Sequence, residues 1–298
     1  MLRLPLHLWG KLMEYSLEKP KVSIIIPTYN SGETLTKCLE SIHGQTYPFF
    51  EVIIIDNFSS DNTLRIANEF GAKIIRQRCN PAFARNIGIA NSTGKYILFL
   101  DSDQVLSPQV VKECLEKCKN GKAGMVAIPE VFVGKGFWSS CSAVWKNCYQ
   151  KIKLREDGKN VFQGEPRFFG RNQIIRAGMF NKNLLWGEDY ELYERIRRID
   201  VKGILCKSRI YHFEPASLRR ILFKIFRYGR SMPTYSQQTR QQTFLLIFRN
   251  SWLTFKAVFE EYRESFPLII GCAILLFLKT CSIMLGVSMD RLTHNSKG

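Results

Sequence analysis

The sequence predicts an α/β protein whose mostly parallel sheet is flanked by helices. Three observations carry this expectation. The run Tyr96-Ile97-Leu98-Phe99-Leu100 is apolar without helical spacing, as a strand buried on both faces requires. Val22-Ser23-Ile24-Ile25-Ile26 and Glu51-Val52-Ile53-Ile54-Ile55 are rich in β-branched residues, which suit a pleated surface. Helix-length segments separate such runs, and that alternation implies parallel pairing through right-handed crossovers.

The 298 residues suffice for one large domain or two small ones. Residues 1–20 read as a tail, with Leu8, Trp9, Leu12 and Met13 at the spacing of an amphipathic helix. The α/β domain is expected over 21–232, and a helical, membrane-associating region over 233–298. Pro27 should stop the first strand. Asn30 or Ser31 can cap a helix from about Glu33 to Ile42. The second strand ends in Asp56, and Ser59-Ser60-Asp61 offers caps for a helix to about Phe70. Ala72-Lys73-Ile74-Ile75 is a third strand. Pro81 suits the first turn of a helix carrying Arg85 and Asn86. A helix from about Ser107 to Lys119 and a strand at Met125–Ile128 follow Tyr96–Leu100. Residues 131–214 are less regular. They hold a helix from Trp138 to Ile152, an exposed charged loop at Arg155–Asn160 and a strand end at Phe168–Arg171. Trp186-Gly187-Glu188-Asp189 then opens a helix with Leu192, Ile196 and Ile199 on one face, and Ile204–His212 holds one or two short strands.

With 43 Lys and Arg against 26 Asp and Glu, the net charge is +17. That excess implies an anionic partner: nucleic acid, a phosphorylated substrate or an acidic membrane surface. A hydrophobic content of 45% excludes global disorder. The nine cysteines show no metal-ligand spacing and read as reduced packing thiols of a cytosolic protein. Pro5 and His7 interrupt any apolar stretch of a secretory signal.

Three strands end in polar groups: Thr28-Tyr29-Asn30, Asp56-Asn57 and Asp101-Ser102-Asp103. Ligands of open α/β sheets sit beyond such carboxyl ends. Along an extended chain, Asp101 and Asp103 point one way and Ser102 the other. Two hard oxygen ligands suit Mg²⁺ or Mn²⁺ carrying substrate phosphates. An isolated D-x-D is more simply a polar turn; the row of polar strand ends favours a site. No G-x-G-x-x-G follows the first strand, which disfavours a dinucleotide-binding domain, and no G-x-x-x-x-G-K-[ST] is present, which excludes a P-loop.

Five segments together resemble family 2 glycosyltransferases. They are Ser23–Asn30, Asp56-Asn57-Phe58-Ser59-Ser60-Asp61-Asn62-Thr63, Ala84-Arg85-Asn86-Ile87-Gly88, Asp101-Ser102-Asp103, and Gly187-Glu188-Asp189 with Leu192 and Arg195. They fall in the family's order over roughly residues 20–230, with Asn57 and Ser102 as mild departures. The resemblance implies a GT-A, Rossmann-like fold and inverting sugar transfer from a UDP- or GDP-sugar. It implies Mn²⁺ or Mg²⁺ on Asp101 and Asp103, with Asp189 as general base and Glu188 binding or orienting the acceptor. Pro27, Thr28, Tyr29, Asn30 and Asp56 would line the nucleotide pocket, with Ser102 beside them and Arg85 contacting the nucleotide. His212, at a strand end, is a candidate third ligand for metal or phosphate, against the commoner core or surface role of a lone histidine. Arg227 and Arg230 are candidates to reach the diphosphate.

Two other readings compete. A nucleotidyl-transfer enzyme would use the same metal pair, but Thr28-Tyr29-Asn30-Ser31 lacks its Gly/Arg/Lys-rich signature. A nucleic-acid binder should interleave basic and exposed aromatic residues. Here the basic residues concentrate after residue 195 beside apolar segments, so no nucleic acid is expected. Leu218, Leu222 and Ile225 share one helical face while Arg220, Lys224 and Arg227 share another, the pattern of a helix on anionic lipid. Farther on, Leu268–Leu278 and Cys281–Val287 flank Lys279-Thr280. The first run is too short for about 30 Å of hydrocarbon. The whole is long enough, but its lysine costs about 2.5–3.5 kcal/mol at the helix centre. A segment embedded in or shallowly crossing the bilayer is expected, with Lys279 snorkelling or facing protein and a full span as the alternative. A lipid-linked saccharide at the cytoplasmic face is then the expected acceptor.

Overall fold

A computed structural model describes residues 19–119, 123–155, 166–199, 203–215, 217–239 and 243–295. The tail helix expected before Lys19 lies outside the described residues, as does most of the charged loop after Arg155. The first half runs β1 (Val22–Thr28), α1 (Leu35–His43), β2 (Phe50–Asp56), α2 (Thr63–Glu69), β3 (Lys73–Arg76), α3 (Pro81–Ala90), β4 (Tyr96–Phe99), β5 (Gln104–Leu106) and α4 (Val110–Cys118). The second half runs β6 (Met125–Ala127), β7 (Glu130–Val133), α5 (Phe137–Arg155), β8 (Pro166–Gly170), α6 (Arg171–Arg176), α7 (Glu188–Arg198), β9 (Gly203–Leu205), β10 (Ile210–Phe213), α8 (Leu218–Thr239), α9 (Thr243–Glu261) and α10 (Phe266–Asn295).

Ile24, Ile25 and Ile26 are all fully buried, as a strand covered on both faces demands. Ile24 and Ile26 pack with Leu39, Leu98 and Val110 on one side of the sheet. Ile25 packs with Ile53, Ile97, Phe99 and Ile89 on the other. The seven-stranded sheet has the order β3-β2-β1-β4-β8-β6-β9. Its β1–β2, β1–β4, β2–β3 and β6–β9 pairs are parallel, and β8 alone runs antiparallel to its neighbours β4 and β6. A small second sheet has the order β5-β10-β7.

Pro27 does not stop β1, which continues to Thr28 in register with β2. Ile25 O accepts from Leu100 N on the β4 side, whereas Thr28 O accepts from Asn57 N beyond β2. By alternation the missing N–H of Pro27 faces β4, whose pairing with β1 has already ended at Phe99. No ladder bond is lost there. The expected helix caps also move. The α1 N-cap is Thr34, without a side-chain bond, while Asn30 and Ser31 tie loops together instead. Asn80, followed by Pro81, caps α3 by accepting from Phe83 N at 2.8 Å.

All nine cysteines are free thiols, seven of them buried, in keeping with the packing role. Near the C-terminus α5, α8, α9 and α10 share an apolar cluster of Cys141, Val144, Cys148, Ile221, Val258, Cys272 and Leu275. Helices α8 and α10 touch backbone to backbone. A Cβ on Gly229 would meet Ile283 O at 2.4 Å, and one on Gly286 would meet Phe226 O at 2.4 Å. Helix α8 runs unbroken through Pro233, across the boundary expected at 232/233.

Candidate active site

The first part of the site joins the ends of β1 and β2. Their register sets Thr28 opposite Asp56. Thr28 Oγ1 donates to Asp56 Oδ1 at 3.0 Å, and Ser59 donates to the same carboxylate through its N (2.9 Å) and Oγ (2.5 Å). Asp56 is fully buried. Asn30, at φ 48°, donates from its N to Ser59 Oγ and accepts from Ser60 N, both at 2.9 Å. Asp61 accepts from Gly32 N at 2.9 Å and Thr63 N at 3.0 Å. Thr28 and Asp56 therefore form a floor, while Tyr29 and Phe58 lie exposed above it. Arg76 and Arg78 stand over the Phe58 ring at 4.8 and 5.5 Å.

The second part is a knot of carboxylates and arginines. Chain alternation does not govern Asp101-Ser102-Asp103, because β4 ends at Phe99 and the segment is a turn closed by Gln104 N donating to Asp101 O at 3.0 Å. Asp101 and Asp103 consequently face different partners. Arg85 Nη2 donates to Asp101 Oδ1 and Arg167 Nη1 to Asp101 Oδ2, both at 3.1 Å. Burial alone would raise the Asp101 pKa; the two arginines hold it well below the usual carboxylate range. The other arm of Arg85 reaches Glu188 Oε1 at 3.0 Å and Asp189 Oδ1 at 3.3 Å. Arg85 is buried, and its guanidinium organises carboxylates from within. Its Nε is a buried donor without a partner among the described residues. Gly187, at φ 76°, takes the left-handed turn that starts α7 with Glu188 and Asp189 beside Arg85. Burial and the Asp189 charge push the Glu188 pKa up against the pull of Arg85. Arg195 of the same motif is structural: it grips Glu191 at 2.7 Å and Met179 O at 2.6 Å.

The third part comes from the small sheet. Antiparallel pairing of β5 with β10 brings Phe213 N to Asp103 O at 3.1 Å and sets His212 Nε2 3.4 Å from Asp103 Oδ2. His212 Nδ1 lies 2.9 Å from Glu130 Oε2, and Arg167 Nε donates to Glu130 Oε1 at 2.9 Å. Burial would depress the His212 pKa, but hydrogen bonds to Asp103 and Glu130 raise it to about 9. A carboxylate oxygen beside an imidazole nitrogen is a donor pair that suits Mn²⁺. Asp103, with His212 once its Nε2 proton is given up, fits a cation, whereas both Asp101 oxygens already accept from arginines. Among the described residues no cluster of three or more His, Cys, Asp or Glu forms a metal site. A cation there would take further ligands from outside the protein.

Pro27 and Ser102 complete the edge, with Ser102 Oγ donating to Ser31 Oγ at 2.8 Å. Helix α8 does not present Lys224 to solvent with its neighbours. Lys224 is held charged by Tyr228, Asp103, Glu214 and Asp101, against the burial that would lower it. Arg227 is exposed, as is Arg230, and Arg220 pairs with Glu33 at 3.3 Å. A groove of about 710 Å³ lies between Glu33, Arg219, Arg220 and Phe223. A second, of about 480 Å³, continues past Leu222 and Phe226 to Ser282 of α10. Sequence reading missed Glu130 and Arg167, and it set Lys224 on the lipid-facing side of its helix with Arg220 and Arg227. A charge inside an apolar strand was the available signal for the first two: Pro166-Arg167-Phe168-Phe169-Gly170 is buried throughout.

The model of glycosyl transferase family 2 matches residues 23–182, more than half of the chain. Chondroitin synthase of Escherichia coli is 30% identical over 213 residues, covering 68% of this chain and 30% of that protein. EpsH of Bacillus subtilis is 23% identical over 265 residues, covering 85% and 75%. Among solved structures, a mannosyltransferase from Pyrobaculum calidifontis, in complex with GDP-Man and Mn²⁺, superposes with TM-score 0.62 at 17% identity over 95% of this chain and 94% of its own. Staphylococcus aureus TarS 1–349 in complex with UDP superposes with TM-score 0.51 at 18% identity over 93% and 92%. The fold is the GT-A fold that the motifs implied. With its motifs in order on that fold, the chain belongs to glycosyl transferase family 2.

Proposed function

We propose that this protein transfers a sugar, with inversion, from a UDP- or GDP-sugar to a hydroxyl of a lipid-linked saccharide, using Mn²⁺ or Mg²⁺ at the cytoplasmic face of a membrane. One observation carries the catalytic reading: a single buried guanidinium, Arg85, joins the Asp101 turn to Glu188 and Asp189. The group that meets the donor and the group that would deprotonate the acceptor are thereby held in one frame. Asp189 accepts the acceptor's hydroxyl proton as that oxygen attacks the anomeric carbon. The bond from that carbon to the donor phosphate breaks, and its electron pair leaves with the nucleoside diphosphate. A divalent cation supplies positive charge for that leaving group, and Asp103 and His212 would hold it. Asp101, engaged by Arg85 and Arg167, sets the charge around them. Tyr29 and Phe58 offer faces for the base above the Thr28–Asp56 floor, and Glu188 orients the acceptor. The nucleotides in the two solved relatives support this donor class.

The membrane reading rests on α10. Phe266–Met289 is long and apolar enough to cross a membrane, and 22% of its most apolar window is buried. Phe266, Ile270, Ile274 and Phe277 are exposed along one stripe, while Ile269, Cys272 and Leu275 are buried on the other. A helix with protein along one face and an exposed apolar stripe along the other favours lying in the interface over spanning it. Lys279 faces protein, donating to Ser142 Oγ at 3.2 Å.

A thermal-shift screen of UDP- and GDP-sugars with Mn²⁺ tests the donor: the true donor raises the melting temperature by mass action and then releases its nucleoside diphosphate on turnover. A panel in which no nucleotide sugar does either sinks the proposal. Flotation with anionic vesicles tests the membrane part. Phe277→Glu, at a side chain 68% exposed, should release the protein without unfolding it.

A further inference from the structure

Where the catalytic half meets α10, three lysines converge on one carboxylate. Glu214 follows β10, two residues after His212, and is buried. Lys146 Nζ of α5 lies 2.5 Å from Glu214 Oε1, and Ser142 Oγ donates to Glu214 Oε2 at 2.7 Å. Lys279 of α10 donates to that same Ser142, so a hydroxyl rather than a carboxylate is its partner. Lys224 of α8 faces Glu214, Asp103 and Asp101, yet among the described residues it makes no hydrogen bond or close ion pair. Lys146, Lys224 and Glu214 also act electrostatically on Lys279.

Three half-buried ammonium groups around the buried Glu214 leave an excess of positive charge. Asp103 offsets part of it, but a cation on Asp103 would cancel that contribution. A charge withdrawn from water is tolerated when it is paired, and among the described residues Lys224 has only the longer-range pull of Tyr228, Asp103, Glu214 and Asp101, with no hydrogen bond or close ion pair. An anion with several acceptor oxygens supplies what Lys224 and Lys279 lack.

We propose that Lys146, Lys224 and Lys279, with Glu214 as their resident counter-charge, form a binding pocket for a phosphoryl group at the seam between the catalytic sheet and α10. Two sources present that chemistry there: the diphosphate of the nucleotide donor, and the phosphate of a membrane lipid or lipid-linked acceptor lying along α10. Which of them serves the reaction rests on the glycosyltransferase reading; the affinity for phosphate does not.

The test uses the full chain and the double variant Lys224→Gln/Lys279→Gln, with Lys224→Arg as the conservative control. Neither lysine holds a carboxylate by a hydrogen bond, so their loss orphans no buried anion, and unchanged melting temperatures check the fold. Inorganic pyrophosphate is titrated by calorimetry without any transfer. The double variant should bind it about tenfold more weakly or worse, with Lys224→Arg near wild type. UDP and GDP, and vesicles of phosphatidylcholine with and without phosphatidic acid, then identify the source. A parallel loss of nucleotide affinity assigns the pocket to the donor. Intact nucleotide affinity with lost preference for phosphatidic acid assigns it to lipid phosphate. Pyrophosphate binding unchanged in the double variant overturns the pocket, whatever the transfer assays show.

Discussion

The two sides of the site are held together by different chemistry. On the nucleotide side, Asp56 is satisfied by a hydroxyl from Thr28 and by the N–H and hydroxyl of Ser59. On the catalytic side, Asp101, Glu130, Glu188 and Asp189 are satisfied by two buried guanidinium groups. The first side draws on residues 28 to 78, with Arg76 3.8 Å from Asp56 as its outer charge; the second draws on residues from 85 to 212. Local polar bonds build a floor of fixed shape. Buried ion clusters concentrate field where charge must move, and they fail badly when one partner goes.

The sharpest test of this contrast is Asp103→Ala. Transfer should disappear and metal-dependent nucleotide binding should weaken, while the melting temperature holds, because His212, 3.4 Å from Asp103, keeps Glu130 at 2.9 Å. Normal transfer by this variant removes the metal assignment. Asp189→Asn should lower turnover by about 10²–10⁴-fold with donor affinity retained, as measured by steady-state kinetics beside nucleotide titration. Loss of donor affinity with turnover per bound donor unchanged would move Asp189 to the nucleotide side.

The next two variants probe stability rather than chemistry. Arg85→Met leaves Asp101, Glu188 and Asp189 without their shared cation and should cost about 3–5 kcal/mol in denaturant unfolding. Thr28→Val removes one hydrogen bond to a buried carboxylate that keeps two others, and should cost about 1.5–3 kcal/mol. Equal losses would erase the distinction between the two sides.

Much of this was legible in the chain itself. Side-chain period and β-branched content mark β1, β2 and β4, and Pro81 marks the first turn of α3, because strands and helix starts are set by neighbours in sequence. The five motifs located the polar strand ends and the acidic start of α7 for the same reason: each is a short segment with its own turn chemistry. What the sequence by itself determined was therefore the sheet, its polar rim and the family. Tertiary structure alone decided which charges meet. Pro27 is tolerated because β4 stops short, which no local pattern encodes. Asp103 finds His212 only because β5 and β10 pair across more than a hundred residues, and Lys224 turns inward only because α8 packs on α10. Such long-range meetings depend on chain closure and burial, and the composition of a segment does not report which distant carboxylate will lie against it.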